Sequence, residues 1–137
     1  MGIRLMQLTD YEQLVELWQP NGMAHEFEYL EAVLARNPTS CFVYEKDGQI
    51  VAAACGLWDG RRGTINSVAT LPEEQGNGYG TAVMEAVIDA LLTLGTNRVR
   101  LFVVKGNEKV LPFYEKLGFE VIEDAYYLGL KIPQLEH

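Results

Sequence analysis

The sequence predicts a mixed α/β protein with one central, mostly antiparallel sheet, one parallel strand pair and about four helices. Three observations lead to this fold class. Short apolar runs of strand type alternate along the chain with segments of helical periodicity. Two Asp-Gly pairs, Asp47-Gly48 and Asp59-Gly60, mark tight turns between strand-like runs. A long amphipathic segment from Val83 to Leu94 separates two further strands, which a right-handed crossover leaves parallel.

The first part of the chain is predicted to form a strand and two helices. Residues 3–8 alternate between apolar and polar side chains, as in a half-buried strand. Thr9-Asp10-Tyr11-Glu12 has the pattern of a capping box, which predicts a helix that Pro20-Asn21-Gly22 ends. A second short helix is predicted from Phe27 to Arg36, because the following Asn37-Pro38 disfavours helical backbone.

The middle of the chain is predicted to form an antiparallel meander. Strand-like runs cover Cys41–Tyr44, Ile50–Trp58 and Thr64–Thr70, with the Asp-Gly turns between them. Gly95 ends the long helix that follows. The β-rich run Arg98–Val104 is then expected to lie parallel to the strand that ends at Thr70.

The last part of the chain is predicted to form a helix and two closing strands. The helix covers Asn107–Leu117, and Gly118 caps it. Residues 119–121 and 126–132 have the alternation of short strands.

Composition indicates one compact globular domain. The chain has 137 residues, of which 48% are hydrophobic, and it contains no internal repeat or linker-like tract. We therefore expect a single domain over residues 1–134, while Leu135-Glu136-His137 resembles the start of a purification tag. Its apolar stretches are shorter than the ~20 residues of a membrane span, and it lacks a signal pattern, so we expect a cytoplasmic protein.

Charge and cysteine content restrict the expected partners. The net charge of −8 disfavours binding to nucleic acid and favours a cationic ligand such as an amine, although an acidic surface also serves solubility alone. We expect no membrane partner. Cys41 and Cys55 lack CxxC spacing and a nearby His pair, which favours two buried reduced thiols and no metal site.

The segment from Gln75 to Gly80 has glycines at three alternate positions and precedes the long helix. Such a loop turns backbone N–H groups to one side, and the helix adds unpaired N–H groups and the positive end of its dipole. The pattern therefore predicts a phosphate or pyrophosphate site. A dinucleotide fingerprint needs glycine at Thr81 and a Walker-type loop needs Gly-Lys there, so the sequence excludes both. The alternative that this segment is only a glycine-rich turn, with no ligand, remains open.

Three motifs, in this order along the chain, resemble those of the GNAT acyltransferase superfamily. Residues 68–73 are similar to its L-A-V-x-P-E segment, and Gln75-x-x-Gly78-x-Gly80 resembles its acyl-CoA motif Q/R-x-x-G-x-G/A. Residues 107–119 are similar to the signature N-x-x-A-x-x-F-Y-E-K-L-G-F. The likeness extends from about residue 3 to about residue 132 and implies the GNAT fold, in which a β-bulge makes the parallel strand pair splay apart.

Within this superfamily the turn at residues 59–63 and the segment Tyr127-Leu128-Gly129 look most like those of small stand-alone bacterial acetyltransferases of the YpeA type, relatives of the RimI group. The chain departs from the family pattern at three positions, Gln75, Val110 and Pro112. The proline is tolerated in a first helical turn. Ribosomal-protein acetyltransferases have a glutamate where this chain has Phe102, which weakens a protein N-terminus as the expected substrate.

The resemblance implies an N-acetyltransferase that moves the acetyl group of acetyl-CoA to a primary amine by direct attack in a ternary complex. The amine belongs to a small molecule or a peptide, and a homodimer is compatible with the family. Tyr114 is the implied general acid, because a phenol can protonate the departing thiolate; packing alone also explains an aromatic residue there. The implied cofactor-binding residues are Val68, Ala69, Thr70, Gln75, Gly76, Asn77, Gly78, Tyr79, Gly80, Thr81 and Asn107.

The sequence does not identify which residue is the general base. Asn66 and Ser67 occupy positions where many relatives have a carboxylate, and they could hold a water relay instead. Direct candidates are His25, Glu26, Glu28 and Asp59, each of which also suits a solvated surface position.

Two other classes of function remain. A non-catalytic acyl-CoA sensor would keep the glycine loop and lack a competent acid, so Tyr114 distinguishes it from an enzyme. A structural or interaction protein would use the loop only to turn the chain, and it would not bind acetyl-CoA.

Overall fold

The computed structural model describes residues 2–133 and contains one five-stranded sheet with strand order β1-β2-β3-β4-β5. The first four strands are antiparallel neighbours, and β4 and β5 are parallel. The mixed fold class predicted from the sequence is therefore confirmed. The strands are β1 (Gly2–Leu5), β2 (Cys41–Lys46), β3 (Gln49–Trp58), β4 (Gly63–Thr70) and β5 (Val99–Arg100). The α-helices of the described chain are α1 (Tyr11–Trp18), α2 (Phe27–Arg36), α3 (Tyr79–Leu94) and α4 (Leu111–Lys116).

The described chain divides into two compact units, residues 2–102 and residues 103–133. That residues 1–134 form a single domain stays a prediction. The suspected tag remnant, residues 135–137, lies outside the described residues. Among the helices within residues 2–133, none is long and apolar enough to cross a membrane.

The hydrophobic core of the first unit is built on the sheet. Leu14, Leu17 and Trp18 of α1 and Leu30 of α2 are buried in one cluster with residues of β2 and β3. Cys41 and Cys55 belong to the same cluster as free thiols, and they face each other across β2 and β3, as the prediction of buried reduced cysteines requires.

Helix α3 contacts the sheet at two glycines. A Cβ atom added at Gly56 would lie 2.7 Å from Cγ1 of Val87, and one at Gly63 would lie 2.8 Å from Cδ1 of Leu91. Both α3 side chains are fully buried. Glycine at these positions therefore lets the helix approach the backbone of β3 and β4 more closely than a larger residue would allow.

The start of α1 differs from the prediction. The carboxylate of Asp10 accepts a hydrogen bond from the N–H of Gln7 at 2.8 Å, so the predicted capping box formed by Thr9 and Glu12 is wrong. Asp10 is buried and also binds the guanidinium of Arg4 at 2.9 Å. The ion pair with Arg4 links two elements, which a helix-capping pattern in the sequence does not show.

The strands near the C-terminus also differ from the prediction. The run 98–104 forms a strand only at Val99–Arg100, and residues 119–121 and 126–132 have no strand assignment. Within residues 103–133 there is no strand that could supply hydrogen bonds, so alternation there does not produce a sheet. The predicted helix at 107–117 is present as a 3-10 turn, Glu108–Val110, followed by α4.

Candidate functional site

The two halves of β4 have different neighbours. Gly63 and Thr64 pair with β3 on one side and with Val99 and Arg100 of β5 on the other. From residue 65 to residue 70, β4 pairs only with β3 within residues 2–102. The second half of β4 therefore presents a backbone edge to a ligand that could add hydrogen bonds there.

A β-bulge marks the start of this open half. Cys55 lies opposite Asn66 but Ala53 lies opposite Ala69, so β4 has one residue more than β3 between these pairs. Ser67 lies in the bulge with a φ of 54°, in the left-handed region that non-glycine residues avoid. The bulge implied by the family resemblance is thus present, at the expected place in β4.

The backbone of Thr70 faces the open edge. Leu71 donates its N–H to the carbonyl of Val51 at 2.9 Å, and antiparallel alternation directs the N–H and C=O of Thr70 away from β3. The Nδ2 of Asn21 donates to that carbonyl at 3.0 Å and to the carbonyl of Leu17 at 2.9 Å. This anchor between the end of α1 and β4 leaves the N–H of Thr70 for a ligand. Val68, two residues earlier on the bulged strand, is half-buried, whereas Ala69 packs in the core.

The glycine loop directly follows the open half of β4. A 3-10 turn, Pro72–Glu74, leads into Gly76 and Gly78, whose φ values are 86° and 85°. A Cβ atom at either glycine would have no neighbour within 4 Å, so both serve backbone conformation and leave the approach open. The first helical hydrogen bond of α3 joins the N–H of Ala82 to the carbonyl of Gly78 at 3.0 Å. The N–H groups of residues 79–81 therefore point out of the helix end.

Two of the predicted cofactor residues, Asn77 and Tyr79, also have side-chain contacts within the protein. The Nδ2 of Asn77 donates to the carbonyl of Glu74 at 3.2 Å. The ring of Tyr79 packs on that of Tyr44 at 4.5 Å, and the Nζ of Lys46 lies 5.7 Å from its centre. Lys46 also pairs with the Glu74 carboxylate at 3.2 Å. These contacts attach the loop and the start of α3 to β2. Gln75, Gly76, Asn77 and Gly78 are exposed, whereas Gly80 and Thr81 are half-buried.

A cluster around His25 contacts the bulge from the segment between α1 and α2. The Nε2 of His25 lies 3.0 Å from the hydroxyl oxygen of Ser67. The imidazole stacks on Tyr29 at 4.5 Å and meets the edge of Trp18 at 4.8 Å, while Tyr11 donates its hydroxyl to the His25 carbonyl at 2.7 Å. Three aromatic side chains thus hold His25 in place, with its imidazole against the strained residue of β4.

The electrostatics of this cluster suit a proton acceptor. Burial lowers the pKa of His25 below its usual value, and the charge of Glu26 opposes this shift only in part. Burial raises the pKa of the Tyr29 phenol, which nearby Ser67 and Asn66 partly offset. The Oδ1 of Asn66 is buried and has no hydrogen-bond donor within residues 2–102. Neutral His25, Ser67 and this amide oxygen therefore offer acceptors to an ammonium group.

The other candidates for the base have different environments. Asp59 accepts N–H hydrogen bonds from Arg61 at 2.8 Å and Arg62 at 2.7 Å, and these bonds lower its pKa. Its carboxylate therefore stabilises the turn and is a weaker base than an ordinary aspartate. Glu26 and Glu28 are exposed at the start of α2. The structure brings only His25, of these four residues, into contact with the bulge.

The second unit holds Asn107 and Tyr114. Asn107 precedes the 3-10 turn and forms no side-chain capping bond there. Tyr114 lies on α4 with its ring edge-on to Phe113 at 5.1 Å and to Phe119 at 6.1 Å. Burial raises the pKa of Tyr114, so its phenol stays protonated near neutral pH, as a general acid requires. Pro112 lies in the first turn of α4, as predicted.

Sequence reasoning missed Tyr29 and Asn21. An aromatic residue at a helical position normally indicates packing, and Tyr29 does stack on His25. The segment Pro20-Asn21-Gly22 was predicted only as a helix breaker. The contact of Asn21 with Thr70 spans 49 residues, and no local pattern could have revealed it.

Comparison with known proteins relates the chain to one family. A model described as the acetyltransferase (GNAT) family matches residues 5–119. An acetyltransferase from Yersinia pestis is 28% identical over 136 residues and covers 96% of each chain. The solved structure of an acetyltransferase from Trypanosoma brucei superposes with a TM-score of 0.71 at 26% identity, over 93% of this chain and 98% of that chain.

A further solved structure extends the likeness of fold. N-acetylglutamate synthase from Neisseria gonorrhoeae, complexed with coenzyme A and N-acetyl-glutamate, superposes with a TM-score of 0.75 at 22% identity. The match covers 89% of this chain and 28% of that longer chain. At this identity the comparison concerns the fold alone.

Proposed function

The chain belongs to the GNAT acetyltransferase family, and from that premise we propose that it moves the acetyl group of acetyl-CoA to a primary amine by direct attack in a ternary complex. The reaction takes place in the cytoplasm, and the acceptor is a small molecule or a peptide that arrives as a cationic ammonium group. Assignment to the YpeA-like subgroup remains a prediction.

The open half of β4 is the observation that supports this proposal. Backbone groups at Val68 and Thr70 would bind the pantetheine arm as an added strand. The loop at Gln75–Gly80 and the start of α3 lie directly after this edge and would bind the pyrophosphate. Asn107 in the second unit would add a hydrogen bond to the CoA arm, as the family motif implies.

Proton transfer completes the proposed reaction. The ammonium group gives a proton to His25, directly or through the Ser67 hydroxyl. The neutral amine nitrogen then forms a bond to the thioester carbon, whose oxygen receives a hydrogen bond from a backbone N–H at the bulge. The C–S bond breaks, and Tyr114 donates its phenolic proton to the departing thiolate. The acylated nitrogen then loses its second proton, which restores the Tyr114 phenol and leaves a neutral amide.

Replacing Tyr114 with phenylalanine tests the assigned acid. We expect Tyr114→Phe to lower kcat by about 10²-fold, because the thiolate must then leave without a proton donor. Release of free thiol from acetyl-CoA in the presence of a panel of primary amines measures this rate. Tyr126→Phe is a matched control, since Tyr126 lies in the same unit and is 94% exposed. Unchanged thiol release by Tyr114→Phe would remove the residue from the mechanism.

Titration calorimetry with acetyl-CoA separates the enzyme from the two other classes. A structural protein would show no binding at millimolar ligand. An acyl-CoA sensor would bind acetyl-CoA and release no thiol with any amine of the panel. Membership of an acetyltransferase family favours binding together with turnover.

A further inference from the structure

A positively lined groove lies beside the cluster of His25. Its volume is about 550 Å³, and it runs along α2, the turn between β3 and β4, and the paired ends of β4 and β5. All of its lining residues belong to the first unit. Those that matter here are Tyr29, Arg36, Asp59, Arg62, Arg100 and Phe102.

The charge of this groove is opposite to that of the whole chain. Arg36, Arg62 and Arg100 line it against the single carboxylate of Asp59, although the net charge of the protein is −8. Asp59 is already bonded to two backbone N–H groups of its own turn. Within residues 2–102, no carboxylate oxygen lies within 4 Å of these three guanidinium groups. The groove therefore has cationic groups available for an anion, which an acidic protein would otherwise repel.

Arg100 is held in place for such a contact. Its Nε donates to the hydroxyl oxygen of Thr64 at 3.2 Å, and its guanidinium carbon lies 5.8 Å from the centre of the Phe102 ring. All three residues line the groove. A guanidinium that is already oriented loses less conformational entropy when it binds, and its planar fork matches a carboxylate or a phosphate.

Tyr29 connects the groove to the bulge. One side chain both lines the groove and stacks on His25. The acceptors for an ammonium group, His25, Ser67 and the buried amide oxygen of Asn66, therefore lie at one end of the same region. The guanidinium groups lie along the groove itself. This polarity matches a molecule with an amine at one end and an anionic group at the other.

We propose that the groove binds the amine acceptor and that this acceptor carries a carboxylate or phosphate group in addition to its amine. The proposal rests on the proposed acetyltransferase function. The amine is bound at the bulge, while Arg62 and Arg100 bind the anionic group. An acceptor without an anionic group forms no ion pair with Arg62 or Arg100 and binds more weakly.

Matched pairs of amines test the proposal by turnover. We compare 4-aminobutanoate with 4-aminobutanamide, and phosphoethanolamine with ethanolamine, at saturating acetyl-CoA and constant ionic strength. In at least one pair, the anionic member should have a KM lower by about tenfold or more. The pair with the larger ratio identifies the anionic group as carboxylate or phosphate. Equal KM values within both pairs would overturn the proposal.

Arginine variants test whether the groove is responsible for the difference in KM between anionic and neutral amines. The double variant Arg62→Gln with Arg100→Gln should remove the difference within a pair by raising the KM of the anionic amine to that of the neutral amine. Arg98→Gln is the matched control, because Arg98 is exposed and does not line the groove. If the KM values of the neutral and the anionic amine still differ in the double variant by the wild-type factor, the proposal is contradicted.

A binding measurement tests the groove even without turnover. Sodium phosphate or sodium acetate, added at constant ionic strength with CoA saturating, should shift the ¹⁵Nε resonances of Arg62 and Arg100 saturably and leave that of Arg98 in place. Absence of any saturable shift with both anions overturns the inference. Failure of acetyl-CoA to bind in calorimetry would instead refute the proposed function, so the two failures are distinguishable.

Discussion

The two halves of β4 differ in their strand partners and in the contacts that they form. The half at Gly63 and Thr64 is paired on both sides, and a Cβ atom at Gly63 would lie 2.8 Å from the fully buried Leu91. Within residues 2–102, the half from residue 65 to residue 70 is paired on one side only, and it contains the bulge and the contact with His25. In the first half both backbone edges are paired within the sheet. In the second half one backbone edge remains for hydrogen bonds with a ligand.

One strand of this protein therefore contributes to both stability and ligand binding. The packed half places the strand against α3, while the open half gives up pairing and adopts a strained backbone at Ser67, with a φ of 54°. Substitutions in the packed half should therefore change stability, and those in the open half should change catalysis.

Removing the imidazole should have the largest effect. We expect His25→Gln to lower kcat by about 10²-fold or more, because the ammonium group then has no base at the bulge. His25 must be neutral to accept a proton, so kcat of the wild type should fall as the pH drops through the pKa of His25. Burial lowers this pKa, so the fall occurs below pH ~6.5, the usual pKa of histidine.

The pH profile separates catalysis from structure. His25→Gln should lack the fall of kcat at acidic pH that the wild type shows. A purely structural role of His25 would lower kcat by the same factor at every pH, and the shape of the profile would remain. The retained shape would contradict the assignment.

A methyl group in the packed half should have the next largest effect. Gly63→Ala forces the buried Leu91 to move, and we expect a loss of about 2 kcal/mol in the free energy of unfolding, measured by urea denaturation. The kcat of the folded fraction should not change. Gly129→Ala is the control, since a Cβ there has no neighbour within 4 Å. Equal stability of the two variants would show that α3 tolerates a larger residue.

The loop that follows the open half should show an intermediate effect. Gly78→Ala places an alanine at a left-handed backbone position, and relief of the strain tilts the N–H groups of the loop. We therefore expect the KM for acetyl-CoA to rise about tenfold. Gly48→Ala is the matched control, because Gly48 has a φ of 80° in the hairpin turn between β2 and β3. Both variants should lose similar stability, and a similar rise of KM in both would contradict a cofactor role of the loop.

The smallest predicted effect is a difference in stability between two substitutions of Ser67. Ser67→Gly and Ser67→Ala both lose the hydrogen bond to His25, so both should lower kcat by the same factor. Only glycine relieves the left-handed backbone, and it should be more stable than alanine by about 1 kcal/mol. Thermal unfolding of the two variants measures this difference. Equal melting temperatures would mean that the bulge is not strained.

Local patterns predicted much of the fold correctly. Gly95 ends α3, and the Asp-Gly pair at Asp47-Gly48 forms the turn between β2 and β3. Such signals depend on backbone preferences within a few residues, which the sequence states directly. The predicted capping box at Thr9 failed because the carboxylate of Asp10 accepts the N–H of Gln7 and binds Arg4, six residues earlier in the chain. The closing strands failed because a strand depends on a partner, and alternation does not supply one.

The mixed sheet, the glycine loop before α3 and its likeness to an acyl-CoA motif could be predicted from the sequence, because these features are encoded within short segments. The contact of His25 with Ser67, which joins positions 42 residues apart, is visible in the folded chain alone, and it is the reason for proposing His25 among the possible bases. The tertiary structure alone also gathered Arg36, Arg62 and Arg100 in one groove. Long-range contacts arise from the packing of the whole core, and no spacing rule along the chain specifies them.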